Sequence, residues 1–366
     1  MSRALRVALA HPVYWPEVRR GAERLLRELA DGLAARGHRP RIVTSHPGPR
    51  ERTVEDGIEV VRARRPPARP LDRLGVEPHV LQAPGTLREL LAGEDDVVEA
   101  LQAGDALAAA AWARRRGRPA VFSLMGIPDE ATLAGRRGRA ALVRTAARRC
   151  AAVTVLSEAA AAACRRTLAV EPRVIAPGVD LGAFALGTAR TPEPTVVCAA
   201  AAGEPRKRVG LLVEAFGRVR REHPGARLVL DARGSERFAG VPGVERAAMD
   251  DRAALAALLG AAWVAALPAV GEAFGLVLAE ALACGTPVVG ARDGGIPEVV
   301  GDAGRLFDGD DPAALAGALL EGIAAARTGG DGLRAACRAQ AERFSTARCA
   351  AAHEALYSEL LAAAGR

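Results

Sequence analysis

The sequence has almost no lysine and few aromatic residues. Of its 50 basic residues, Lys207 is the only lysine, and aromatic residues make up 3% of the chain. The aromatic residues do not interleave with the arginine clusters, which argues against nucleic-acid binding. Alanine-rich, arginine-rich usage is typical of a high-GC coding bias. The net charge of +7 is therefore explained most simply by scattered solvated arginines, although it would also favour phosphates or an anionic membrane surface.

Cysteine pairs and long apolar runs are also missing. The six cysteines form no C-x-x-C pair, and most lie in alanine-rich runs. We therefore expect small buried thiols in a reducing compartment and no metal site. The chain has no uncharged apolar run of 18 residues, and the apolar stretch in MSRALRVALAHP is too short for a signal peptide. These absences predict a cytoplasmic protein without a membrane span.

What the chain does have is an alternation of short apolar runs and amphipathic stretches. The run 5–10 predicts a buried strand, residues 21–38 predict a helix with a left-handed end at Gly37, and 39–45 predict a second strand. The loop between such a strand and helix lies at the carboxyl end of the sheet, where ligands bind. The stretch 62–78 is rich in proline and arginine and predicts an irregular loop.

The alternation begins again at residue 195. A chain of 366 residues is longer than one core usually supports. We therefore predict two α/β, Rossmann-like domains facing each other across a cleft, at 1–185 and 195–345. The proline-containing stretch 186–194 is the predicted linker, and residues 346–366 predict a final helix.

Two glutamates flank a predicted helix start in the stretch GEAFGLVLAEALACG. Glu272 lies just before the helix and Glu280 about two turns into it, or roughly 12 Å further along the axis. Between them, free N–H groups around Phe274, Gly275 and Leu276 suit anionic or hydroxyl oxygens. A nucleotide diphosphate sugar, with hydroxyls at both ends and phosphate between them, fits this pattern. The alternative is an ordinary helix with one capping glutamate and one exposed glutamate.

The segment resembles the E-x7-E region of the family 4 retaining glycosyltransferases, which have the GT-B fold. Further segments resemble the family in the same order along most of the chain: RRGAERLLRELADGLAARGH, VTVLSEA, VIAPGVDLGAF, RKRVGLLVEAFGRVRREHPGARLVL and GGIPEVVGDAGRLFDGDDPAALAGAL. The resemblance implies an acceptor-binding N-terminal domain and a donor-binding C-terminal domain. It also implies that the final helix returns to the N-terminal domain.

The resemblance also implies a reaction. A sugar would move with retention from a nucleotide diphosphate sugar to an alcohol, either a secondary metabolite or a precursor of a cell-surface glycan or lipid. Glu272 would be catalytic and hold the donor sugar near its reacting carbon, and Glu280 would bind the ribose hydroxyls. The backbone amides of Phe274, Gly275 and Leu276 would bind sugar hydroxyls. No metal or cofactor is implied.

The lone lysine has a place in this resemblance. In the family, a lysine after the first strand of the second domain contacts the donor diphosphate, and Lys207 stands there; a compact, strongly hydrated charge suits a phosphate. Arg206 or Arg208 would supply a second cation, because Ala202 stands where the family often has arginine. Gly21 would let the first-domain loop approach the phosphates. The alternatives for Lys207 are an accidental survivor on a solvated face and a Schiff-base role, for which the sequence has no pyridoxal signature.

The first domain departs from the family at one position. Many members have a histidine in a T-x-H-G stretch, but the matching run here is FSLMGIP, with Met125 in its place. Methionine cannot pass a proton, although it can line a sugar pocket. His11, Tyr14 and Met125 are the acceptor-side candidates. The loop 11–20 is among the segments that would contact the acceptor. Two alternatives stay open: a nucleotide-sugar 2-epimerase on the same fold and an inactive nucleotide-sugar-binding homologue.

Two charged stretches resemble functional motifs, but each has a simpler structural explanation. The run DGD at 308–310 imitates a D-x-D metal motif, but it precedes a predicted helix and indicates capping. The run RRGRAALVRTAARR at 136–149 predicts a basic, partly apolar helix that could touch the inner face of an anionic membrane. A solvated helix face is the simpler account of the second run.

Overall fold

The computed structural model describes residues 3–17, 21–67, 73–77, 80–187 and 189–365. The chain divides into two compact units. The first unit comprises Met1–Gly178 and Thr346–Arg366, and the second unit comprises Val179–Ser345.

The strands of the described residues are β1 (Arg6–Ala10), β2 (Arg39–His46), β3 (Glu51–Glu55), β4 (Ile58–Arg64), β5 (Val97–Ala100), β6 (Ala120–Leu124), β7 (Ala152–Val155), β8 (Arg173–Val174), β9 (Thr195–Cys198), β10 (Arg227–Asp231), β11 (Val244–Ala247), β12 (Val264–Leu267), β13 (Val288–Ala291) and β14 (Gly304–Phe307). The α-helices are α1 (Gly21–Ala35), α2 (Ala83–Ala92), α3 (Ala103–Arg116), α4 (Glu130–Ala134), α5 (Arg139–Arg149), α6 (Glu158–Leu168), α7 (Val209–Glu222), α8 (Arg252–Ala261), α9 (Leu276–Ala283), α10 (Ile296–Val300), α11 (Pro312–Thr328), α12 (Gly330–Glu342) and α13 (Thr346–Ala364).

The first unit is built on one mixed sheet. Within its described residues the strand order is β3-β4-β2-β1-β5-β6-β7-β8, and each neighbouring pair is parallel except the β3–β4 hairpin. The parallel strands coincide with apolar runs because both of their faces are covered. The hairpin was not predicted, because the largely exposed strand ERTVE is mostly polar. Residues 62–64 of the predicted loop belong to β4, and 68–72 and 78–79 lie outside the described residues.

The second unit has a fully parallel sheet. Its described strands follow the order β11-β10-β9-β12-β13-β14. As predicted, strands and helices alternate from residue 195 onward, and helices connect most of the strands. The prediction of two parallel-sheet α/β domains is confirmed.

The stretch predicted as a linker, 186–194, lies inside the second unit. The N–H of Gly187 donates to the carbonyl of Cys284 at 3.1 Å, and the N–H of Thr191 donates to the carbonyl of Ala261 at 2.9 Å. The indole N–H of Trp263 donates to the Thr191 carbonyl at 2.8 Å. The prolines interrupt the periodic pattern that would predict a helix or a strand here. The stretch is nevertheless hydrogen-bonded to the rest of the second unit. The chain instead passes between the units at 178–179 and at 345–346.

Helix α13 belongs to the first unit and packs against α1. A Cβ atom on Gly32 would lie 2.9 Å from the Cβ of Ala350, so the glycine allows the two helices to approach closely. At the edge of this contact, the guanidinium of Arg36 donates to the carboxylate of Glu354 at 2.5 Å. The helix therefore completes the N-terminal unit from the other end of the chain.

A buried polar network attaches α13 to the sheet. The carboxylate of Glu99 on β5 is 1% exposed and accepts hydrogen bonds from the hydroxyls of Ser123 and Tyr357. The Nε2 atom of His353 lies 3.3 Å from the same carboxylate. We refer to Glu99, Ser123, His353 and Tyr357 as the buried network.

The state of the cysteines and the character of the helices agree with what the composition predicts. All six cysteines are free, and five of them are buried, as predicted. Burial raises the pKa of Cys164 and Cys198 to about 11, so these thiols stay protonated and inert. Within the described ranges, no helix combines the length and apolarity needed to cross a bilayer.

Candidate active site

Lys207 lies on a short turn after β9. Residues Pro205–Lys207 form a single 3-10 turn, so Arg206 and Lys207 follow the carboxyl end of a central strand. The amino group of Lys207 lies 2.5 Å from Oε2 of Glu272, and the guanidinium of Arg206 donates to the same oxygen at 2.9 Å. The side chains of Lys207 and Glu272 are 14% and 17% exposed, whereas that of Arg206 is 47% exposed. We refer to these three residues as the charged cluster; it carries two cations and one carboxylate and is open to solvent on the side of Arg206.

Arg208 holds the turn in place. Its backbone is left-handed, with a φ of 48°. Its guanidinium donates to the carbonyls of Pro268 at 2.6 Å and Gly309 at 3.0 Å, and it pairs with Asp310. Of the two arginines that could supply a second cation, Arg206 is therefore the one that meets Glu272. The methyl side chain of Ala202 is buried, but its carbonyl accepts a hydrogen bond from Arg237 at 3.3 Å.

The loop that holds Glu272 is fixed through its backbone. The Glu272 carbonyl accepts from the N–H of Gly295 at 2.8 Å, and the N–H of Gly271 donates to Asp293 at 2.6 Å. A Cβ atom on Gly295 would lie 2.3 Å from the Ala273 carbonyl oxygen, so only glycine permits this approach. These contacts were not predicted from the sequence, although the glycine pair after β13 is a signal for such a close approach.

Helix α9 begins with open backbone donors. Gly275 caps it in the left-handed region with a φ of 100° and without a side-chain hydrogen bond. Among the residues that the structure describes, no acceptor meets the N–H groups of Phe274, Gly275 or Leu276. The ring of Phe274 is buried edge-on against Phe344 at 5.1 Å, which fixes this backbone. Free N–H groups at a helix start attract anionic and hydroxyl oxygens.

Glu280 lies in the second turn of α9, as its spacing predicts, and its side chain is buried. Its contact with ribose hydroxyls stays a prediction. The aspartates of the DGD run do not cap a helix. Asp308 pairs with Arg292 at 3.0 Å and Asp310 pairs with Arg208, while the neighbouring Asp311 caps α11.

The first unit contains the other candidates. Gly21 is the first residue of α1, and a Cβ atom there would meet no described atom within 4 Å. His11 is buried, with Nδ1 2.6 Å from the Val13 carbonyl and 3.9 Å from Glu23. Tyr14 belongs to the apolar core, and burial raises the pKa of its hydroxyl. This burial argues against Tyr14 as an acceptor contact.

Met125 is half-buried and lines a pocket of about 340 Å³ in the first unit. The pocket also takes residues from the segments that follow β5 and β6, and from the helices α4 and α5. The sequence analysis found only Met125, because the other residues of the lining have no motif and lie in separate segments.

Comparison with known proteins extends these observations. The sequence models of two families match the chain: Glycosyltransferase Family 4 over residues 19–183, and Glycosyl transferases group 1 over residues 193–324. A curated relative, D-inositol 3-phosphate glycosyltransferase from Segniliparus rotundus, is 38% identical over 158 residues, which cover 37% of this chain. The match spans about a third of that relative, 35% of its length.

Two solved structures are similar over nearly the whole chain. Sucrose-phosphate synthase from Thermosynechococcus elongatus has a TM-score of 0.80 and 20% identity, and the match covers 98% of this chain and 100% of that one. The Anabaena protein HepE in complex with UDP-glucose has a TM-score of 0.75 and 18% identity, and the match covers 97% and 100%. Both likenesses concern the fold. From the two family matches and this fold, the chain belongs to the family 4 glycosyltransferases and has their GT-B fold.

Proposed function

We propose that the chain is a retaining glycosyltransferase that moves a sugar from a nucleotide diphosphate sugar to an alcohol. The observation that carries this proposal is the position of the charged cluster. Lys207 and Arg206 meet Glu272 four residues before the start of α9, next to backbone donors that have no acceptor in the described part of the chain. Cations and a helix start placed together suit a diphosphate.

The charged cluster gives each group a role in donor binding. A diphosphate brings more negative charge than one carboxylate, so it would attract Lys207 and Arg206 away from Glu272. The carboxylate of Glu272 would then accept hydrogen bonds from hydroxyls of the donor sugar. The open N–H groups of α9 would bind the remaining oxygens. Donor binding needs no metal in this scheme, because the protein supplies the cations.

The reaction then needs positioning more than a strong base. The acceptor oxygen attacks the anomeric carbon on the face from which the diphosphate leaves. The new carbon–oxygen bond forms as the bond to phosphate breaks, and the electron pair of that bond stays on the diphosphate. The acceptor proton passes to a departing phosphate oxygen. Lys207 and Arg206 stabilise the charge that develops on the leaving group.

The similar proteins support a nucleotide-sugar donor. HepE is described in complex with UDP-glucose, and the Segniliparus relative is named as a glycosyltransferase. We propose the same class of donor for this chain, with its base and sugar to be found by titrating nucleoside diphosphates and their sugars.

Removing the lysine tests the donor site. Lys207→Ala should weaken nucleoside diphosphate binding by about 1.5–3 kcal/mol, or roughly ten- to a hundredfold, in calorimetric titration. The matched control is Arg305→Ala, which removes an ion-paired cation from β14 and should leave the affinity unchanged. Equal affinity in the wild type and Lys207→Ala would contradict the proposed diphosphate site.

Incubation with the donor alone separates the alternatives. Slow release of free sugar and nucleoside diphosphate supports a transferase. Formation of an epimer at the second carbon would indicate an epimerase, and binding without turnover would indicate an inactive homologue. With an acceptor present, NMR of the product should show the anomeric configuration of the donor.

A further inference from the structure

Another pocket of the first unit lies at the opposite edge of the sheet from the Met125 pocket. Open α/β sheets bind ligands outside the carboxyl ends of their strands. This pocket is instead lined by Pro119 and Ala151, which directly precede β6 and β7, and by residues near the ends of α3, α5 and α13. Its volume is about 650 Å³, which is sufficient for a small ligand. We refer to it as the rear pocket, and its larger members are Leu107, Arg114, Arg118, Arg149 and Leu360.

The floor of the rear pocket is apolar. Leu107 on α3 and Leu360 on α13 are half-buried and pack against the two core clusters of the first unit. Apart from the three arginines, the described lining contains only alanine, leucine, glycine and proline. The floor is therefore held in place by the core, and apolar surface of a ligand would be removed from water on binding.

The charged groups of the lining are all arginines. Arg114 and Arg149 form no ion pair or side-chain hydrogen bond with any residue that the structure describes. Arg118 lies 3.9 Å from Asp96, a carboxylate that Arg3 and Arg6 already share. No carboxylate belongs to the described lining, so the rear pocket presents three positive charges and no negative one.

This pattern differs from that of other exposed arginines in the chain. Arg165, Arg173 and Arg305 have side chains that are 45%, 57% and 46% exposed, and each pairs with a carboxylate at 2.6–3.0 Å. Arginines in the last turn of a helix also complement its dipole, which accounts for one cation at the end of α3 or α5. It does not account for arginines from separate segments that meet around one apolar floor.

We propose that the rear pocket binds a single molecule that carries one anionic head, a carboxylate or a phosphate, on an apolar chain. The head pairs with Arg114 and Arg149, because the planar guanidinium matches the geometry of such oxyanions. The chain covers Leu107 and Leu360. This site does not depend on the proposed function, since it lies at the edge of the sheet away from the candidate residues of the first unit.

Matched ligands test whether both the head and the chain are needed. In calorimetry on the whole protein, octyl phosphate below its micellar concentration should bind at least about tenfold more tightly than inorganic phosphate or 1-octanol. Octyltrimethylammonium has the same chain and the opposite charge, and it should also bind at least about tenfold more weakly. Equal affinity for octyl phosphate and either octyltrimethylammonium or inorganic phosphate would overturn the proposal.

The length of the chain gives a graded readout. Hexyl phosphate lacks two methylenes and should bind roughly four- to fifteenfold more weakly than octyl phosphate if the chain leaves water on binding. Equal affinity for the two alkyl phosphates would mean that the apolar floor does not take part, and would overturn the proposal.

A pair of variants on α13 locates the binding. Ala362 and Ala363 are both exposed in the last turn of the helix, but of the two only Ala363 lines the rear pocket. Ala363→Glu places a carboxylate beside the arginines, so it should lower octyl phosphate affinity at least about tenfold. Ala362→Glu should keep the affinity of the wild type. Unchanged affinity in Ala363→Glu, or an equal loss in both variants, contradicts the assignment.

A second pair on α5 removes the proposed partner of the head. Arg148 and Arg149 are neighbouring exposed residues, and of the two only Arg149 lines the rear pocket. Arg149→Gln should lose roughly tenfold in octyl phosphate affinity, whereas Arg148→Gln should lose little. The reverse order, or no loss in either variant, would show that the head does not meet Arg149.

Two further measurements exclude other sites and other occupants. Lys207→Ala should bind octyl phosphate like the wild type, and a loss there would place the phosphate at the charged cluster and overturn the proposal. Sedimentation with vesicles of phosphatidylglycerol should give the same bound fraction for the wild type and Ala363→Glu. Vesicle binding that Ala363→Glu abolishes would assign this face to a bilayer surface and overturn the binding of a single molecule.

Discussion

Glu99 and Glu272 are both carboxylates that meet cations, yet their surroundings differ. Glu99 is 1% exposed, and its partners come from β6 and α13. Glu272 is 17% exposed, and its partners Lys207 and Arg206 lie on one short turn, where Arg206 is 47% exposed. A closed network holds structural elements together, whereas an open cluster can exchange its protein partners for a ligand. The same chemical group is therefore expected to contribute stability in one unit and, under the proposed function, donor binding in the other.

The largest effect is expected from Glu99→Ala. Without Glu99, burial would keep His353 uncharged, and the buried hydroxyls of Ser123 and Tyr357 would lose their shared acceptor, so the free energy of unfolding should fall by about 3–5 kcal/mol. Denaturant unfolding at neutral pH measures this loss. The control is Glu359→Ala on the same helix, whose exposed pair with Arg173 should contribute less than about 1 kcal/mol. Equal losses in the two variants would mean that the buried network does not stabilise α13.

Part of the stability that the buried network provides should depend on pH. Burial alone would lower the pKa of His353, but the charge of Glu99 outweighs it and raises this pKa well above its ordinary value. Stability from His353 is therefore complete below the ordinary pKa of about 6.5 and is lost as pH rises through the higher folded value. Burial would raise the pKa of Glu99, but His353 lowers it overall, so its contribution is lost as pH falls below about 4.5.

The measurement is denaturant unfolding from pH 4 to 9.5. The wild type should lose stability towards the alkaline end, and His353→Gln should show a flatter alkaline profile. An alkaline decline of the same size in both proteins would assign it to other groups.

Glu272→Ala provides the matching test of the charged cluster. Because Glu272 is less buried than Glu99 and its second partner, Arg206, is 47% exposed, the free energy of unfolding should fall by less than in Glu99→Ala. Loss of the contact to the donor sugar should lower kcat/KM by about a hundredfold or more, or about 2.7 kcal/mol. Donor-turnover kinetics and denaturant unfolding of the same preparation check both parts. A large loss of stability with little loss of turnover would reverse the roles assigned to the two glutamates.

Another buried carboxylate sharpens the comparison. Asp105 accepts hydrogen bonds from Thr86 at 2.6 Å and Gln82 at 3.4 Å, and no described cation pairs with it. Burial raises the pKa of Asp105 to about 6. The folded state therefore keeps a proton that the unfolded state releases between about pH 4 and 6, so stability falls as pH rises through that range.

Asp105→Asn should raise the free energy of unfolding by about 3 kcal/mol at pH 7.5, since the pKa rises from 3.8 to about 6 and each pKa unit corresponds to about 1.4 kcal/mol. At pH 4 the variant and the wild type should be nearly equal. Asp95→Asn is the contrasting control, because Asp95 is buried against Arg41 at 2.6 Å and should lose stability instead. A gain for Asp105→Asn that is equal at both pH values would contradict the role of ionisation.

The smallest effect is expected from Lys207→Arg. The charge is kept, but the lysine side chain is 14% exposed and its amino group is 2.5 Å from Glu272, so a longer planar guanidinium needs a different geometry. Nucleoside diphosphate affinity should fall roughly tenfold, or about 1.4 kcal/mol. Arg206→Lys, at a more exposed position, should cost less. Full affinity in Lys207→Arg would mean that charge alone matters and that the lysine is accidental.

The sequence predicted the elements of the fold better than their partners. The β-α-β order was visible because buried parallel strands are continuous apolar runs. The left-handed end of α1 at Gly37, with a φ of 86°, followed from a local rule, whereas the cap expected in the DGD run lies one residue later, at Asp311. The hairpin of β3 and β4 was missed, because exposed polar strands have no such pattern.

Contacts between distant residues needed the structure. Lys207 and Glu272 are 65 residues apart, and only the family resemblance related them. Glu99 and Tyr357 are 258 residues apart, and nothing in the sequence connected them. The role of Arg208 as the anchor of its turn could not be predicted either, because the sequence of three consecutive basic residues does not show which acceptor each one contacts.

The chain leaves the first unit at 178–179 and returns to it at 345–346, which has a consequence for protein synthesis. At about 5–20 residues per second, the ribosome needs roughly ten to thirty seconds to translate Val179–Ser345 between the two parts of the first unit. During that time Glu99 has neither His353 nor Tyr357, and α1 lacks the helix that covers it. The second unit is continuous and can complete its contacts first. On the ribosome, the half of the protein that is made first is therefore the half that is finished last.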